Sequence, residues 1–376
     1  MEKKQIINNL KCVEKIPFDK IYKEKCPNDI FIPSTLPVKK RIVVFGDIHG
    51  DLKLAIKFLT ISKVANIKID GDNIISEWIG GETVVVQVGD QVDRCRPIGK
   101  DLLCRYKQTT LNDEASDIKI LKLFNDLHYQ AIKVGGAVIS LLGNHEIMNS
   151  MGMLDYVSYE GLKEFENYED PKNKDLKFKD GWDARRHAFK PGNEYGLLLG
   201  CTRLPAIIIG SNLFAHAGIV NGLINQIGMI GSNDLEIINK SIRLWLFKLL
   251  GRKYVSTILQ DTNYSMFWTR LLGKIPPNVP LDNDICQNNI SEVLKLFKIN
   301  NMIIGHTPQS FAYTDDINST CGDKIWRVDN GSSIAFNKFD NLYMAEGVNS
   351  HSRRAQYIEI INDTQFYVCD ENGCKI

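Results

Sequence analysis

The chain has no surplus of charge of either sign, no C-x-x-C pair, no long apolar run and few histidines. Each deficit removes a class of function. Its 376 residues hold 46 Lys plus Arg against 45 Asp plus Glu, a net charge of +1. That balance leaves no basic excess to grip a nucleic-acid backbone and no acidic excess of the kind that keeps chains disordered. No apolar run approaches the ~20 residues of a membrane-spanning helix. Residues 1–20 mix Lys, Glu and Asn with isolated apolar residues, so no signal-peptide segment is expected there. The nine cysteines are odd in number. They are expected to be reduced thiols in a cytoplasmic setting, where the sequons at Asn263, Asn289 and Asn318 carry no weight. Apolar residues at 44% and charged residues at 24% are ordinary for a globular chain.

What is present is a recurring pattern. Residues 1–38 carry four of the twelve prolines without periodicity and read as an N-terminal extension, either an irregular arm or a partly ordered leader. From residue 39 onward, short Val- and Ile-rich runs end in polar clusters. Ile42–Phe45 leads to Asp47 and His49, and Thr83–Val88 leads to Asp90, Asp93 and Arg94. Ala137–Leu142 leads to Asn144 and His145, Asn212–Ala215 to His216, and Asn301–Ile304 to His306. Such runs suit strands buried on both faces. Helical spacing lies between them, at Leu52–Leu59, at Ile120–Ala131 behind a Ser116 N-cap, over 233–250 and at Ile290–Phe297. The alternation predicts an α/β fold with a substantially parallel sheet, whose ligands bind at the carboxyl ends of the strands. Further strands are expected at Lys324–Val328, Asn341–Met344, Gln356–Ile361 and Gln365–Val368, paired antiparallel. The pattern lapses over 149–195, which reads as a cap or insertion.

The strand-end residues are chemically coherent. Asp47, His49, Asp90, Asn144, His216 and His306 offer carboxylate, imidazole and amide donors, which suit divalent Mn, Fe or Zn. Six donors exceed one ion's needs, whereas two ions about 3.5–4 Å apart would share them and activate water for attack on phosphorus. His145 can protonate a leaving alkoxide. Asp93 can orient that imidazole, and Arg94 can fork onto phosphate oxygens.

Together, Gly46-Asp-Ile-His-Gly50, Gly89-Asp-Gln-Val-Asp-Arg94, Gly143-Asn-His-Glu146, His216-Ala-Gly218 and Gly305-His-Thr307 resemble the metallophosphoesterase superfamily, and within it the phosphoprotein phosphatases. The resemblance implies a β-sandwich of two mixed sheets flanked by helices. It implies that Asp47 and His49 bind one metal, that Asp90 bridges, and that Asn144, His216 and His306 bind the second. It also implies His145 as general acid paired with Asp93, and Arg94 with Asn144 on the phosphate. A second phosphate-binding arginine is expected, with Arg270 first and Arg185 or Arg186 behind it. Several departures mark the branch. Cys95 stands where the family has Gly, Leu142 where eukaryotic enzymes have Arg, and Val328–Ser333 where they carry S-A-P-N-Y. With Trp182, Arg185-Arg186 and Phe189–Gly192, these features are most similar to the Shewanella-like protein phosphatases.

Three functions compete. The first is a dimetal phosphoprotein phosphatase in which metal-activated hydroxide attacks and His145 protonates the leaving oxygen. The second is a phosphatase of nucleotides or other small phosphoesters. The third is a scaffold of the same fold without turnover. The expected partner is a phosphorylated protein or small phosphoester, and neither nucleic acid nor membrane is expected. Glu146 is expected to be a structural acceptor, Asp329 a turn residue or a support for the metal ligands, and Cys95 a small buried residue or a thiol beside the site.

Overall fold

The computed structural model describes residues 10–97, 103–337 and 354–375. In chain order the strands are β1 (Thr35–Leu36), β2 (Arg41–Phe45), β3 (Ala65–Asp70), β4 (Asn73–Trp78), β5 (Val84–Gln87), β6 (Ala137–Leu141), β7 (Arg203–Leu204), β8 (Ala206–Ile209), β9 (Asn212–Ala215), β10 (Asn301–Ile304), β11 (Asn318–Thr320), β12 (Ile325–Arg327), β13 (Tyr357–Ile361), β14 (Gln365–Asp370) and β15 (Gly373–Lys375). The helices that matter below are α1 (Phe18–Lys25), α2 (Leu52–Ile61), α3 (Asp117–Ala131), α4 (Asn144–Ser150), α5 (Gly181–Phe189), α6 (Asp234–Leu246) and α7 (Asp284–Phe297).

Two sheets face each other. One runs β15-β14-β13-β2-β5-β6-β7 and the other β1-β8-β9-β10-β12-β11. Both are mixed. β2, β5, β6 and β7 are parallel neighbours, while β13 runs antiparallel to β2. The strand period of two explains the unbroken apolar runs. Ile42, Val44, Val84 and Val86 point between the sheets, against Ile207, Phe214 and Ile303. Their neighbours Val43, Phe45 and Val85 point outward, against α2 and α3. Ala206, Ile208, Leu213 and Ile304 do the same on the far side, against α6 and α7. Each fully buried Val or Ile contributes roughly 1.5–3 kcal/mol, so polar substitution on either face of these strands would be disruptive. The expected mixed α/β sandwich flanked by helices is therefore the observed fold. No helix among the described residues is long and apolar enough to cross a membrane.

Three details differ from the sequence reading. Ser116 precedes α3 but makes no cap; its hydroxyl donates to Gly50 O at 2.5 Å, because the first motif loop lies against it. β12 pairs parallel with β10 as well as antiparallel with β11, since a crossover returns it to the sheet interior. β3 and β4 form a separate hairpin turned at Gly71, whose φ of 58° suits a residue without Cβ. The expected strand at Asn341–Met344 lies outside the described residues.

The cysteines are the larger correction. Cys26–Cys201, Cys95–Cys104, Cys286–Cys321 and Cys369–Cys374 are disulfides, with Cα separations of 5.6, 5.7, 5.6 and 4.0 Å. The expectation of reduced thiols fails, because tertiary packing brings together pairs as much as 175 residues apart. A cytoplasmic setting loses the support those thiols lent it. Cys95 is accordingly neither a simple packing residue nor a free thiol. Residues 17–26 are held to the main body by Cys26 and by an aromatic cluster of Phe18, Tyr22, Phe31 and Phe247, and β1 adds an edge strand beside β8.

Candidate active site

All five motif loops leave the carboxyl ends of their strands and meet where the two sheets converge. Asp47 and His49 follow β2, Asp90 and Asp93 follow β5, and Asn144 and His145 open α4 after β6. His216 follows β9 and His306 follows β10. The loops are clasped by backbone bonds, with Ile48 N and His49 N donating to Asp90 O at 3.0 and 2.9 Å. His49, Asp90, Asp93 and His306 adopt φ of 50°, 54°, 71° and 68°. This left-handed conformation is uncommon for such residues and costs on the order of 1–3 kcal/mol each. The strand ends supply four of the thirteen described non-glycine residues with positive φ, a clustering that functional sites commonly show. Two glycines have a steric reason: a Cβ on Gly143 would strike Asp90 Oδ1, and one on Gly305 would strike Asp47 Oδ1.

The donors are oriented from behind. His306 N donates to both oxygens of Asp47 at 3.2 and 3.1 Å. His145 N donates to Asp90 Oδ1 at 2.9 Å, leaving Oδ2 for the centre. That oxygen lies 3.3 Å from His216 Nε2 and 3.8 Å from Nε2 of both His49 and His145. His216 Nδ1 sits 2.9 Å from Val88 O, so its Nε2 remains as ligand; His306 Nε2 sits 3.0 Å from Trp268 O, so its Nδ1 remains. Asn144 Oδ1 is 2.9 Å from His216 Nε2. Glu146 accepts from the backbone N–H of Asp90, Gln91 and Gly143 at 3.0, 2.7 and 2.7 Å, and so shapes the loops.

These residues fit divalent metals. Ligand atoms of His49, Asp90 and His145 lie within 4.8 Å of one another, and so do those of Asp90, His216 and His306. Asp90 is common to both groups. His49 Nδ1 and Asp329 Oδ2 are buried without hydrogen-bond partners. Burial, with the neighbouring Asp329 and Asp90, pushes the Asp47 carboxyl well above its ordinary range. Burial opposes ionisation of Asp90 too, but His216 and His145 hold its carboxyl well below that range. Burial also drives His49 and His306 toward the neutral imidazole that coordinates metals. Carboxylates crowded in a dry pocket call for cationic charge, and oxygen and imidazole donors are what Mn, Fe or Zn accept.

Beside the donors, His145 Nδ1 is 2.9 Å from Asp93 Oδ2. Asp93 also accepts from Asn149 Nδ2 at 2.9 and 3.0 Å and from Arg185 Nη2 at 3.3 Å. An ionised carboxylate only accepts, so the imidazole proton on Nδ1 belongs to this bond and Nε2 faces the centre. Arg185, expected as one alternative for phosphate, is fully buried instead. It donates to Asp117 at 2.7 Å and to Asn149 at 2.8 Å.

A cavity of about 310 Å³ opens onto His49, Asp90, Asn144, His145 and His306. Two guanidinium groups reach it, and Arg94 is not one of them. Arg94 donates to Gly50 O at 2.8 Å, to Asn112 O at 2.7 Å and to Glu114, and it lines no part of this cavity. Arg270, bound to His306 O at 2.8 Å, lines it. Arg96 lines it too; it donates to Cys95 O and Asp93 O at 2.9 and 3.1 Å and stands 4.8 Å above the Phe336 ring. Arg186 lies elsewhere, on the surface of α5. The sequence reading passed over Arg96, Tyr156, Trp268, Phe311 and Phe336. Only Arg96 had a signal, its place two residues beyond Arg94.

The calcineurin-like phosphoesterase family model matches residues 40–310. An uncharacterised protein of Acanthamoeba polyphaga mimivirus is 38% identical over 257 residues, covering 65% of this chain and 96% of that one. Shewanella-like protein phosphatase 2 of Arabidopsis thaliana is 28% identical over 322 residues, covering 78% and 72%. Among solved structures, the cold-active protein-tyrosine phosphatase of a psychrophilic Shewanella superposes with a TM-score of 0.60 at 19% identity. That superposition covers 91% of this chain and 81% of the other, and it speaks for the fold alone.

Proposed function

The chain belongs to the calcineurin-like phosphoesterase family, and on that premise we propose that it is a dimetal phosphomonoester hydrolase acting on phosphorylated proteins. Family membership and the phosphatase relatives support a phosphate-ester hydrolase. The observation that carries the finer reading is the Asp93–His145 pair, set beside two donor groups that share Asp90. Asp47, His49 and Asp90 would hold one divalent ion, and Asp90, Asn144, His216 and His306 the other. Such ions, when bound, supply an acidified water and positive charge for the phosphoryl oxygens.

The protein's own residues do the rest. Arg96 and Arg270, both facing the cavity, bind and orient the phosphate. Asn144 offers an amide to the same group. Asp93 holds the Nδ1 proton of His145, so that Nε2 delivers its proton to the leaving oxygen as the P–O bond breaks. Water adds to phosphorus, the alcohol departs protonated, and no phosphoenzyme is needed. Tyr156, Trp268, Phe311 and Phe336 give the cavity aromatic walls. These suit an aryl phosphate such as a phosphotyrosine side chain, the substrate named for the Shewanella enzyme.

His145→Ala tests the reading. It should leave metal content unchanged and reduce turnover of alkyl phosphates by about a hundredfold or more. Normal turnover would remove His145 from the mechanism. Phosphopeptides competed against dinucleoside polyphosphates in one assay discriminate protein from nucleotide substrates.

A further inference from the structure

A second cavity, of about 700 Å³, lies beside the helices that support the Asp93–His145 pair. Lys177, Lys179, Arg186, Lys190 and Arg252 line it, against the single carboxylate of Asp183. This concentration stands out in a chain whose net charge is only +1. Asp183 is engaged by Arg186 at 3.1 Å. Lys177, Lys179, Lys190 and Arg252 have no ion-pair partner among the described residues. Arg252 opens the Arg252–Gln260 helix, whose first turn carries no acidic residue, so its free N–H groups add to the positive potential. The floor is apolar, formed by Phe178 and the nearly buried Trp245.

The position matters as much as the charge. α5 presents Arg185 to Asp93, Asp117 and Asn149 on its inner side. Its next residue, Arg186, faces the cavity. α4 begins with Asn144 and His145 and ends at Ser150, beside Met151 and Gly152 in the cavity wall. Gly152 lies close over Arg186, where an added Cβ would sit 3.2 Å from Cγ. Of the two helices that fix the dyad, α4 therefore ends at this basic cavity and α5 lines it along one face.

We propose that this cavity binds a compact polyanion carrying several phosphate-type groups, and that its occupancy is transmitted through α5 and α4 to the Asp93–His145 pair. The volume falls in the range of roughly 300–1,000 Å³ that small-molecule sites occupy. The cations come from three separate segments around the cavity rather than from one line along a groove. That arrangement fits a small molecule better than an extended acidic chain. An anion that bridges Arg186 and Lys190, at α5, to Lys177, Lys179 and Arg252 on the neighbouring segments pulls on the helix whose other side holds Asp93, which is a coupling between two defined sites.

Inositol hexasulfate, which is no phosphomonoester, is the probe. Calorimetric titration of the metal-loaded protein should show binding that weakens steeply with added salt. The double variant Lys190→Glu, Arg252→Glu should bind at least about tenfold more weakly, with its thermal midpoint and basal turnover unchanged. Saturating probe should alter kcat on an alkyl phosphate by about twofold or more in the wild type and not in the variant. Equal affinity in the two proteins, or unaltered kcat, would overturn the proposal. Simple competition, with raised KM and constant kcat in both, would place the probe at the catalytic cavity and also overturn it. Tighter binding of an acidic phosphopeptide to the same residues would replace the small-molecule site with a docking groove. The binding arm stands by itself; only the turnover arm rests on the phosphatase reading.

Discussion

Asp93→Asn removes one charge and almost nothing else. The residue's φ of 71° is one that Asn tolerates, so the backbone has no reason to move. Its carboxylate, however, receives only donors: Asn149 Nδ2, Arg185 Nη2 and His145 Nδ1. An amide must turn an NH₂ toward one of them. The pair with His145 spans 2.9 Å. A charge pair at that separation is worth at most about 6 kcal/mol at an effective dielectric of 20. A charge-assisted hydrogen bond measured by deletion contributes about 1.5–3 kcal/mol, and the lower range is the one to expect. If it supports the imidazole as the proton leaves, kcat on alkyl phosphates should fall about 10- to 150-fold. Aryl phosphates with acidic leaving groups need little protonation and should fall within about threefold. The assay is a leaving-group series at saturating substrate, below the variant's melting temperature, with metal content checked. A uniform loss across the series would refute the reasoning, because it would show that Asp93 serves the site as a whole and not the proton on His145.

KM separates the two arginines. Arg96→Ala should raise KM for small phosphoesters by about 10- to 100-fold, and it should also lower stability by about 2–4 kcal/mol, because Cys95 O and Asp93 O lose their donor. Arg94→Ala should leave KM near wild type and lower stability by about 2–4 kcal/mol, because Gly50 O and Asn112 O lose their donor; the reverse pattern would return phosphate binding to Arg94. Burial, with Asp117 next to it, pushes the Glu164 carboxyl up to about 8. The folded chain therefore keeps that proton where the unfolded chain has lost it, and stability drains as pH rises from about 4.5 to 8, by roughly 3–5 kcal/mol at most. Glu164→Gln should flatten that decline in denaturant titrations at pH 5, 7 and 9; parallel profiles would contradict it. Replacing Cys26 and Cys201 by Ser opens a link across 175 residues and should cost about 3–5 kcal/mol, whereas an unchanged denaturant midpoint would mean the pair is open in solution.

The strand-end donors were legible because their signal is local. An apolar run followed by Gly and Asp or His needs no knowledge of the rest of the chain, and parallel topology then gathers such ends by rule. Arg94 shows where this stops. Its presence after Asp93 is visible, but the direction of a long side chain depends on Gly50 O, Asn112 O and Glu114 arriving from other loops. Arg96 reaches the cavity because Phe336, 240 residues further on, supplies a face to stand on. The disulfides were illegible for the same reason, since no spacing reveals that Cys26 meets Cys201. Trp268 supports His306 through a backbone carbonyl, which carries no residue-type signal at all.

The pairing of β2 with β13 has a consequence for how the molecule comes into being. β2 delivers Asp47 and His49, yet one of its two neighbours is made more than 300 residues later, as the Arg41–Glu359 contact across 318 positions records. Until that neighbour emerges from the ribosome, β2 presents Ile42, Val43 and Val44 along a bare hydrogen-bonding edge, the kind that invites pairing with another chain. Its other neighbour, β5, is available early. Assembly of the site is thus tied to the most distant strand pairing among the described residues, a contact of the long-range kind that slows folding in general. A ribosome-bound chain stalled before Tyr357 would carry every proposed metal-ligand residue and still have an incomplete sheet beneath the first two of them.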